Sequence, residues 1–335
     1  MPTRPFPAPP GRREERLKPP PRMMRLGLGE YLPLALTVAL WAVIVVDVGH
    51  ADTARILAAT VAMRGLLMLT RITTSLSLRA RSSAPRKIRR QARRFAFAVQ
   101  GGALLANLAL VLLLVAALDA VGQHEIALFL PLIAVGLPAR VLRFADVRTT
   151  SPYFRLALAG GGLVAVLGAW AAGWGAAGMA LAFGLREWIA YVVVRWWPQA
   201  THIPKRPIET RLDLAEIARN TAISGRRNLT YRLSKVALTI FGPVGNFAAR
   251  TGRGLKWDSK IEPYLPHSLP GFILFALVAM GGAAFLAARV GEPAAMIGAS
   301  GLLQLAGASA NIALVWPWLP DRHDPDLLVD EDDDD

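Results

Sequence analysis

Residues 79–118 read RARSSAPRKIRRQARRFAFAVQGGALLANLALVLLLVAAL. A segment with eight Lys or Arg residues (79–94) precedes an uncharged and mostly apolar run (95–118). A helix that crosses the hydrocarbon layer of a bilayer needs about 20 mostly apolar residues. The run therefore predicts a transmembrane helix. The basic segment predicts that this helix begins on the cytoplasmic side, because Lys and Arg concentrate in cytoplasmic loops.

Similar apolar runs recur on both sides of this stretch. Together with 95–118 they predict eight spans, at 31–48, 54–78, 95–118, 125–144, 153–172, 174–195, 270–289 and 293–316. With these spans, 33 of the 38 Lys and Arg residues fall on one side of the membrane. The positive-inside rule assigns that side to the cytoplasm and places both termini there. The sequence thus predicts an all-α fold, a polytopic transmembrane helical bundle.

The overall composition agrees with a membrane protein and excludes a soluble globular domain. The hydrophobic fraction is 53% and the mean hydropathy is +0.37. The net charge of +14 lies mostly in loops that border spans, so we expect membrane lipids and no nucleic acid as its partners. The absence of Cys excludes disulfides and thiolate metal sites. A composition rich in Ala, Arg and Gly favours a GC-rich bacterium, and hence the inner (cytoplasmic) membrane.

The chain divides into segments of different composition. Residues 212–233 are basic and amphipathic and predict a helix on the inner surface, whereas 233–250 could be re-entrant or could span the membrane. The predicted segments are a disordered basic Pro-rich arm (1–28), a six-helix transmembrane domain (29–196), a basic interfacial segment (197–268), a two-helix hairpin (269–319) and an acidic disordered tail (320–335).

Sequence motifs for an enzyme are absent. The chain contains no phosphate-binding GxxxxGK[ST] loop, no HExxH and no GxSxG, and its five His residues are widely scattered. We therefore predict that the protein is not an enzyme and has neither a cofactor nor a metal site.

Charged residues within the apolar spans are the candidate binding residues. Arg64 and Arg71 lie seven residues apart in the second predicted span, which would place them near one face of a helix. Arg186 and Glu187 interrupt the sixth span. Arg140 and Arg143 mark the inner end of the fourth. A charge near the bilayer centre normally faces a partner or an aqueous cavity.

Two interpretations of these charges stay open. In the first, the arginines bind an anionic headgroup such as a phosphate or pyrophosphate, for which the guanidinium fork is well suited. In the second, Glu187 neutralises Arg64 or Arg186 in a structural ion pair. The basic residues at the end of the fourth span could equally be a solvated helix end.

Polar side chains and tryptophans in the spans have simpler expected roles. Four amides are predicted to form hydrogen bonds between helices: Gln100, Asn107, Gln304 and Asn311. Tryptophans near the span ends, including Trp188, are predicted to anchor the protein at the headgroup level.

Two motifs resemble those of a known superfamily. One is GWGAAGMALA at 173–182, continued by Arg186, Glu187 and Trp188; the other is FGPVGNFAAR at 241–250. They resemble helices of the polysaccharide and lipid-linked oligosaccharide flippases, which are related to multidrug exporters of the MATE type. The resemblance, over about 31–250, implies alternating access around a cationic cavity in which Arg64 binds the pyrophosphate of the substrate.

The number of spans differs from that superfamily, whose members have 12 to 14 helices. The chain is therefore expected either to be a shortened relative that forms a homodimer, or a relative that no longer transports. The leading hypothesis is an inner-membrane transporter-like protein that moves a lipid-linked glycan or another anionic amphiphile. The alternative is a non-transporting scaffold or accessory subunit of envelope polysaccharide assembly, whose basic loops bind anionic lipid or an acidic partner.

Overall fold

The computed structural model describes residues 31–81, 84–144, 154–196, 210–239, 264–288 and 293–318. No strand occurs in this part of the chain. The helices are α1 (Leu32–Leu69), α2 (Ser75–Ala80), α3 (Arg86–Ala120), α4 (His124–Ala134), α5 (Leu137–Phe144), α6 (Phe154–Ala171), α7 (Gly175–Trp196), α8 (Leu214–Thr239), α9 (Leu269–Ala287), α10 (Pro293–Leu314) and the short 3-10 helix Trp316–Trp318. The predicted arm (1–28), the motif at 241–250 and the tail (320–335) lie outside the described residues.

Several helical segments have the length and hydropathy of membrane spans. Within the described residues there are six: Leu32–Leu69, Arg86–Ala120, His124–Arg143, Phe154–Ala171, Gly175–Val193 and Leu269–Leu286. Large apolar side chains on their outer surfaces are exposed, among them Leu105, Leu112 and Phe285. Such surfaces are expected to face lipid. The coarse prediction of an all-helical membrane protein is therefore confirmed.

Helix α1 contains two of the predicted spans. A straight helix of its 38 residues would be about 57 Å long, roughly twice the hydrocarbon thickness. The helix is interrupted at Gly49, where φ is +76° and ψ is 177°, a conformation that glycine tolerates and other residues rarely adopt. Leu40, before the break, lies against Gly162 of α6, whereas Gly65, after it, lies against Leu303 of α10. The eight-span count itself stays a prediction.

The second predicted span, 54–78, is wrong as a single helix. Helix α1 ends at Leu69, a non-helical stretch follows, and α2 begins at Ser75. The backbone groups freed by this break are bound by side chains: Asn311 donates to the carbonyl oxygens of Leu69 (2.7 Å) and Arg71 (3.1 Å). The fourth predicted span is likewise divided, between α4 and α5, at residues 135–136.

The buried side chains form three apolar clusters. The largest joins α1, α4, α6 and α7 and contains Ile44, Ile56, Leu130, Val166 and Met179 among others. A second joins α8, α9 and α10 around Leu229, Phe272 and Ile312. A small third cluster joins α2, α3 and the start of α8. Helix α1 packs against α4, α6, α7 and α10, so it is the central element of the described bundle.

One end of the bundle gathers several chain segments. The end of α1 contacts α10 through Asn311, and the following residues contact α3 and α8 through Gln100 and Thr221. We call this the basic end, because Arg86–Arg94 at the start of α3 belong to it and most of them are exposed. The small residues at 172–178 connect α6 and α7 in a hairpin, and its two helices pack closely.

Candidate functional site

The charged pair in the middle of α7 forms the centre of the candidate site. Arg186 and Glu187 lie about halfway along this 22-residue helix, and both side chains are half-buried. Glu187 forms an ion pair with Arg143 at the end of α5, with 3.6 Å between Oε2 and Nη1. The interpretation that Glu187 pairs with Arg64 or Arg186 therefore needs revision, since its ion pair is with a third arginine.

Arg64 of α1 completes the group. It lies within electrostatic range of both residues on α7: Glu187 attracts it, and Arg186 repels it. Its side chain lies on the surface of the described bundle, although the neighbouring residues Met63 and Gly65 are buried. Three cations and one carboxylate from three helices are thus brought together. We call this group, which consists of Arg64, Arg143, Arg186 and Glu187, the Glu187 cluster.

The guanidinium group of Arg186 is partly held by an aromatic ring. Its Cζ lies 4.6 Å from the ring centroid of Phe183, and the face of the ring attracts cations. Its Nε is buried and has no hydrogen-bond partner among the described residues. Arg143 lies similarly over the ring of Phe154, at 4.1 Å. The Nε–H group of Arg186 is therefore available to donate a hydrogen bond within the cluster.

Close backbone contact fixes α7 against the break between α4 and α5. A β-carbon added at Gly136 would lie 2.6 Å from the carbonyl oxygen of Gly184, and one added at Gly184 would lie 2.6 Å from that of Leu132. The indole N–H of Trp188 donates to the carbonyl oxygen of Val135 at 2.9 Å. Trp188 was expected to anchor the protein at the headgroup level, but it binds a carbonyl group exposed by the helix break.

The positioning roles of Gly136 and Gly184 were not predicted from the sequence. Pro138, at the start of α5, was the available signal for irregular backbone, because it has no N–H to donate to the carbonyl oxygen of Ala134, where α4 ends. Gly136 and Gly184 give no signal on their own, since their importance depends on which helix faces them.

Arg71 and Arg140 line a small cleft between the end of α1, α3 and α5, with a volume of about 30 Å³, which is room for on the order of one or two water molecules. Arg71 follows the end of α1 in non-helical backbone, so the prediction that it shares a helical face with Arg64 is wrong. Its Nη2 lies 3.5 Å from the hydroxyl oxygen of Ser224. The structure thus divides the six predicted residues between two places.

A buried arginine in the basic segment 79–94 was also missed. Arg81 is only 1% exposed and donates two hydrogen bonds to Glu216 of α8, at 2.7 and 2.5 Å. Its Nε donates to the carbonyl oxygen of Thr210, and its Nη1 also donates to that of Ser77. This satisfied residue links the chain after α2 to α8, whereas the segment had been interpreted only as a cytoplasmic loop.

Three of the four predicted amides connect different elements. Gln100 donates to the carbonyl oxygen of Ile72, Asn107 accepts from Thr70 at 2.7 Å, and Asn311 binds the end of α1 as described. Those predictions are confirmed. The hydrogen bond of Gln304 to Ser300, at 2.9 Å, lies within α10. In the described part of the chain, no group of three or more His, Asp or Glu residues could hold a metal ion.

Comparison with protein-family models, curated proteins and solved structures finds no match to this chain. The resemblance to the flippase superfamily therefore stays a prediction from the residues. The chemistry of the Glu187 cluster is clear from the residues alone. Three guanidinium groups around one carboxylate leave a net charge of +2 on these four side chains, an arrangement suited to an oxyanion.

Proposed function

We propose that the protein is a transporter-like protein of the bacterial cytoplasmic membrane that binds the anionic headgroup of an amphiphile at the Glu187 cluster. The observation that carries the proposal is Arg64, a cation on the surface of the bundle within the apolar stretch 56–69 of α1 and near a second arginine, Arg186. The proposed substrate is a lipid-linked glycan or a chemically similar amphiphile with a phosphate or pyrophosphate group.

The energetics of buried charge support an anionic ligand. Each arginine near the centre of a bilayer costs at least about 2.5–3.5 kcal/mol unless it is solvated or paired. One carboxylate is shared among three arginines, so an additional anion would lower the electrostatic energy of the site. A phosphate group matches the paired donors of a guanidinium group.

Charge distribution supports the cytoplasmic membrane and the orientation. The positively charged loops lie on one side of the eight predicted spans, which is the pattern of a protein with cytoplasmic termini. Alternating access is the mechanism that the resemblance to flippases implies, with the arginines exposed in turn to each side. We propose a transport role and no enzymatic one.

A scaffold function is the second candidate. The first turns of α3 expose Arg86, Lys87, Arg89, Arg90, Arg93 and Arg94 at the basic end. Such a surface attracts anionic lipid or an acidic protein by about 1 kcal/mol per basic residue near a membrane surface. It would serve a non-transporting accessory subunit of envelope polysaccharide assembly without any contribution from Arg64.

Lipid analysis of a deletion strain separates these functions. The strain would be complemented with the wild-type gene, with Arg64→Ala, or with Arg90→Gln as a matched control at an exposed arginine. For a flippase, undecaprenyl-linked glycan intermediates accumulate on the inner leaflet in the deletion strain and with Arg64→Ala, but not with Arg90→Gln. Unchanged lipid pools in the deletion strain would rule out the flippase proposal.

A charge-reversal variant of the first turns of α3 tests the scaffold function directly. If the protein is a scaffold, changing Arg86, Lys87, Arg89 and Arg90 to Glu abolishes function while Arg64→Ala retains it. The two proposals thus predict opposite effects for the same pair of variants, provided that membrane levels of both proteins are equal.

A further inference from the structure

Arg93 and Arg94 of α3 lie where the basic part of this helix meets its apolar part. Both side chains are exposed, and the apolar run begins at the next residue, Phe95. Leu112, which is 67% exposed, follows Arg94 after about five helical turns, so the two residues lie on the same side of α3. Because that side is expected to face lipid, Arg94 lies at the edge of the lipid-facing surface.

The charge of these two arginines is not balanced by the protein around them. The sequence contains no Asp or Glu between Asp52 and Asp119. Within the described residues, neither Arg93 nor Arg94 forms an ion pair. Four further Lys and Arg residues precede them at 86–90, and like charges three or four residues apart on a helix repel each other. An anion bound beside Arg93 and Arg94 would therefore reduce an existing repulsion.

An apolar surface with a gap in it follows directly after the two arginines. Phe97, which is 51% exposed, lies four residues after Arg93 and three after Arg94, so it is their neighbour on the helix surface. One turn farther, a β-carbon added at Gly101 would have no atom within 4 Å. Exposed Leu105 lies one more turn along. An acyl chain can therefore lie against the helix backbone between Phe97 and Leu105, whereas an acidic protein would leave this gap unused.

We propose that Arg93 and Arg94 form a binding site for an anionic phospholipid of the leaflet at the basic end. The two guanidinium groups bind the phosphate oxygens of the headgroup, and an acyl chain lies along Phe97 and Gly101. Phosphatidylglycerol has this chemistry, because its headgroup is anionic and has no balancing cation. The site is distinct from the Glu187 cluster. It requires neither the transport role nor the scaffold role, since it depends only on a helix α3 that crosses the membrane.

Lipid-selective quenching of a fluorophore on α3 tests this site. The chain has no native cysteine, so bimane can be attached to one introduced cysteine in the full-length protein. Ala98→Cys places it at an exposed position four residues after Arg94. Ala116→Cys places it at another exposed position, on the same side of α3 but about 27 Å farther along the helix. The nanodiscs contain equal amounts of phosphatidylglycerol and phosphatidylcholine, and one of the two lipids has brominated acyl chains, which quench bimane.

The site predicts a lipid preference at one probe position only. At position 98, brominated phosphatidylglycerol should quench as if it were enriched at least about 5-fold over phosphatidylcholine, which is the factor for one basic residue near a membrane surface. At position 116 the two brominated lipids should quench equally. Equal quenching by both lipids at position 98 as well would overturn the proposal.

Paired substitutions on the same helix separate a site from diffuse attraction. Arg93→Gln with Arg94→Gln should reduce the enrichment at position 98 to less than about 2-fold. Arg86→Gln with Lys87→Gln removes the same charge from exposed residues about 10 Å farther from the apolar run, and should preserve most of the enrichment because salt screens charges over that distance. Equal losses in the two pairs would overturn the proposal, because they would indicate no localised site.

Folding and the identity of the occupant are checked in the same assay. Arg93→Lys with Arg94→Lys keeps the charge without the planar fork, and should retain part of the enrichment. Quenching by brominated phosphatidylcholine should be similar in all variants if α3 stays in the membrane. If enrichment appears only after Asp332 to Asp335 are changed to Asn, the acidic segment of the chain occupies this face and the lipid proposal is overturned. A failure of the transport proposal would instead appear as unchanged lipid pools and would leave these quenching results as they are.

Discussion

Glu187 has two opposing effects on the residues around it. It neutralises part of the charge of Arg143 and lies within electrostatic range of Arg64 and Arg186, so it stabilises three cations in the folded protein. The same carboxylate repels any anion that approaches those arginines. Stability without ligand and affinity for ligand are therefore expected to change in opposite directions when this charge is removed.

Glu187→Gln tests that opposition. Without the carboxylate, the protein should lose about 3 kcal/mol of unfolding free energy, because a buried charge loses its partner. Affinity for pyrophosphate should rise, and saturating pyrophosphate should recover most of the lost stability. Thermal unfolding in detergent with and without pyrophosphate measures both effects.

The matched control for that variant is Glu125→Gln. Glu125 forms an ion pair with Arg55 on exposed surface and does not belong to the Glu187 cluster. The unfolding temperature of this variant should change little, and pyrophosphate should affect it as it affects the wild type. If Glu187→Gln behaves in the same way as Glu125→Gln, Glu187 has no electrostatic role in the cluster.

The residues of the site were only partly predictable. Arg64, Arg186 and Glu187 were identified because a charge within an apolar run is visible in the sequence. The partner of Glu187 was not, since the choice among three arginines depends on how α5, α1 and α7 pack. Arg81 was missed because its burial arises from α8, which is distant in the sequence.

At the scale of the elements, α7 and the break between α4 and α5 pack so closely that there is no room for a β-carbon at Gly184. Gly184→Ala would place a β-carbon 2.6 Å from the carbonyl oxygen of Leu132, which is backbone and cannot rotate away. We expect a loss of about 1–3 kcal/mol in stability and a displacement of Glu187 from Arg143. Thermal unfolding and pyrophosphate affinity of the variant measure these effects.

Gly168→Ala is the matched control for that substitution. This glycine lies in α6 with nothing within 4 Å of the added β-carbon. Alanine has the higher helix propensity, so the variant should be neutral or up to about 1 kcal/mol more stable. Equal destabilisation by the two substitutions would contradict the close approach of α7 to the break.

The junction of the chain after α2 with α8 depends on Arg81. Arg81→Ala would remove both bonds to Glu216 and leave the carbonyl oxygens of Ser77 and Thr210 without this donor. The expected loss in the free energy of unfolding is about 3 kcal/mol. This is at the low end for a buried ion pair, because the side chain of Glu216 remains 26% exposed. Arg81→Lys should recover only part of it, since lysine lacks the fork.

Thermal unfolding measures that loss, with Arg90→Ala as the control at an exposed arginine of the same basic segment. Arg90→Ala should change the unfolding temperature little. If Arg81→Ala is as stable as Arg90→Ala, the link between this segment and α8 does not contribute to the fold.

The elements differ in how far the sequence could predict them. The hairpin of α6 and α7 is predictable from the sequence, because its short loop of small residues is a local signal. The end of α1 at Leu69 was not predicted, because Thr70, Thr73 and Thr74 can occur within an apolar helix. The sequence does not show which groups bind their backbone N–H and carbonyl groups. Tertiary hydrogen bonds from α3, α8 and α10 determine where that helix ends.

At the scale of the whole molecule, hydrogen bonds place several chain segments at one end. The ends of α1 and α10 meet through Leu69 and Asn311, and the first half of α8 is attached beside them through Thr73 and Thr221. The break at Gly49 and the start of α4 meet elsewhere, where Arg55 pairs with Glu125. This arrangement agrees with a break at Gly49 on the outer side, and it makes the number of spans testable.

Single-cysteine variants can test the number of spans, because the chain has no native cysteine. We expect a membrane-impermeant maleimide to label His50→Cys and Gln123→Cys in intact cells, since both residues are exposed and lie in the predicted outer loops. Gln91→Cys, on the exposed face of the basic segment, should be labelled only after the membrane is permeabilised. Gln123→Cys and Gln91→Cys are thus the controls for the two sides.

The behaviour of His50→Cys distinguishes two arrangements of α1. If Gly49 is the turn between two spans, residue 50 is in water and is labelled from outside. If α1 crosses the membrane once as a bent helix, residue 50 is within the hydrocarbon layer, where a thiolate does not form and maleimide reacts poorly. A cysteine that stays unlabelled even after permeabilisation would therefore reduce the span count by one, and would place the N-terminus opposite to the predicted side.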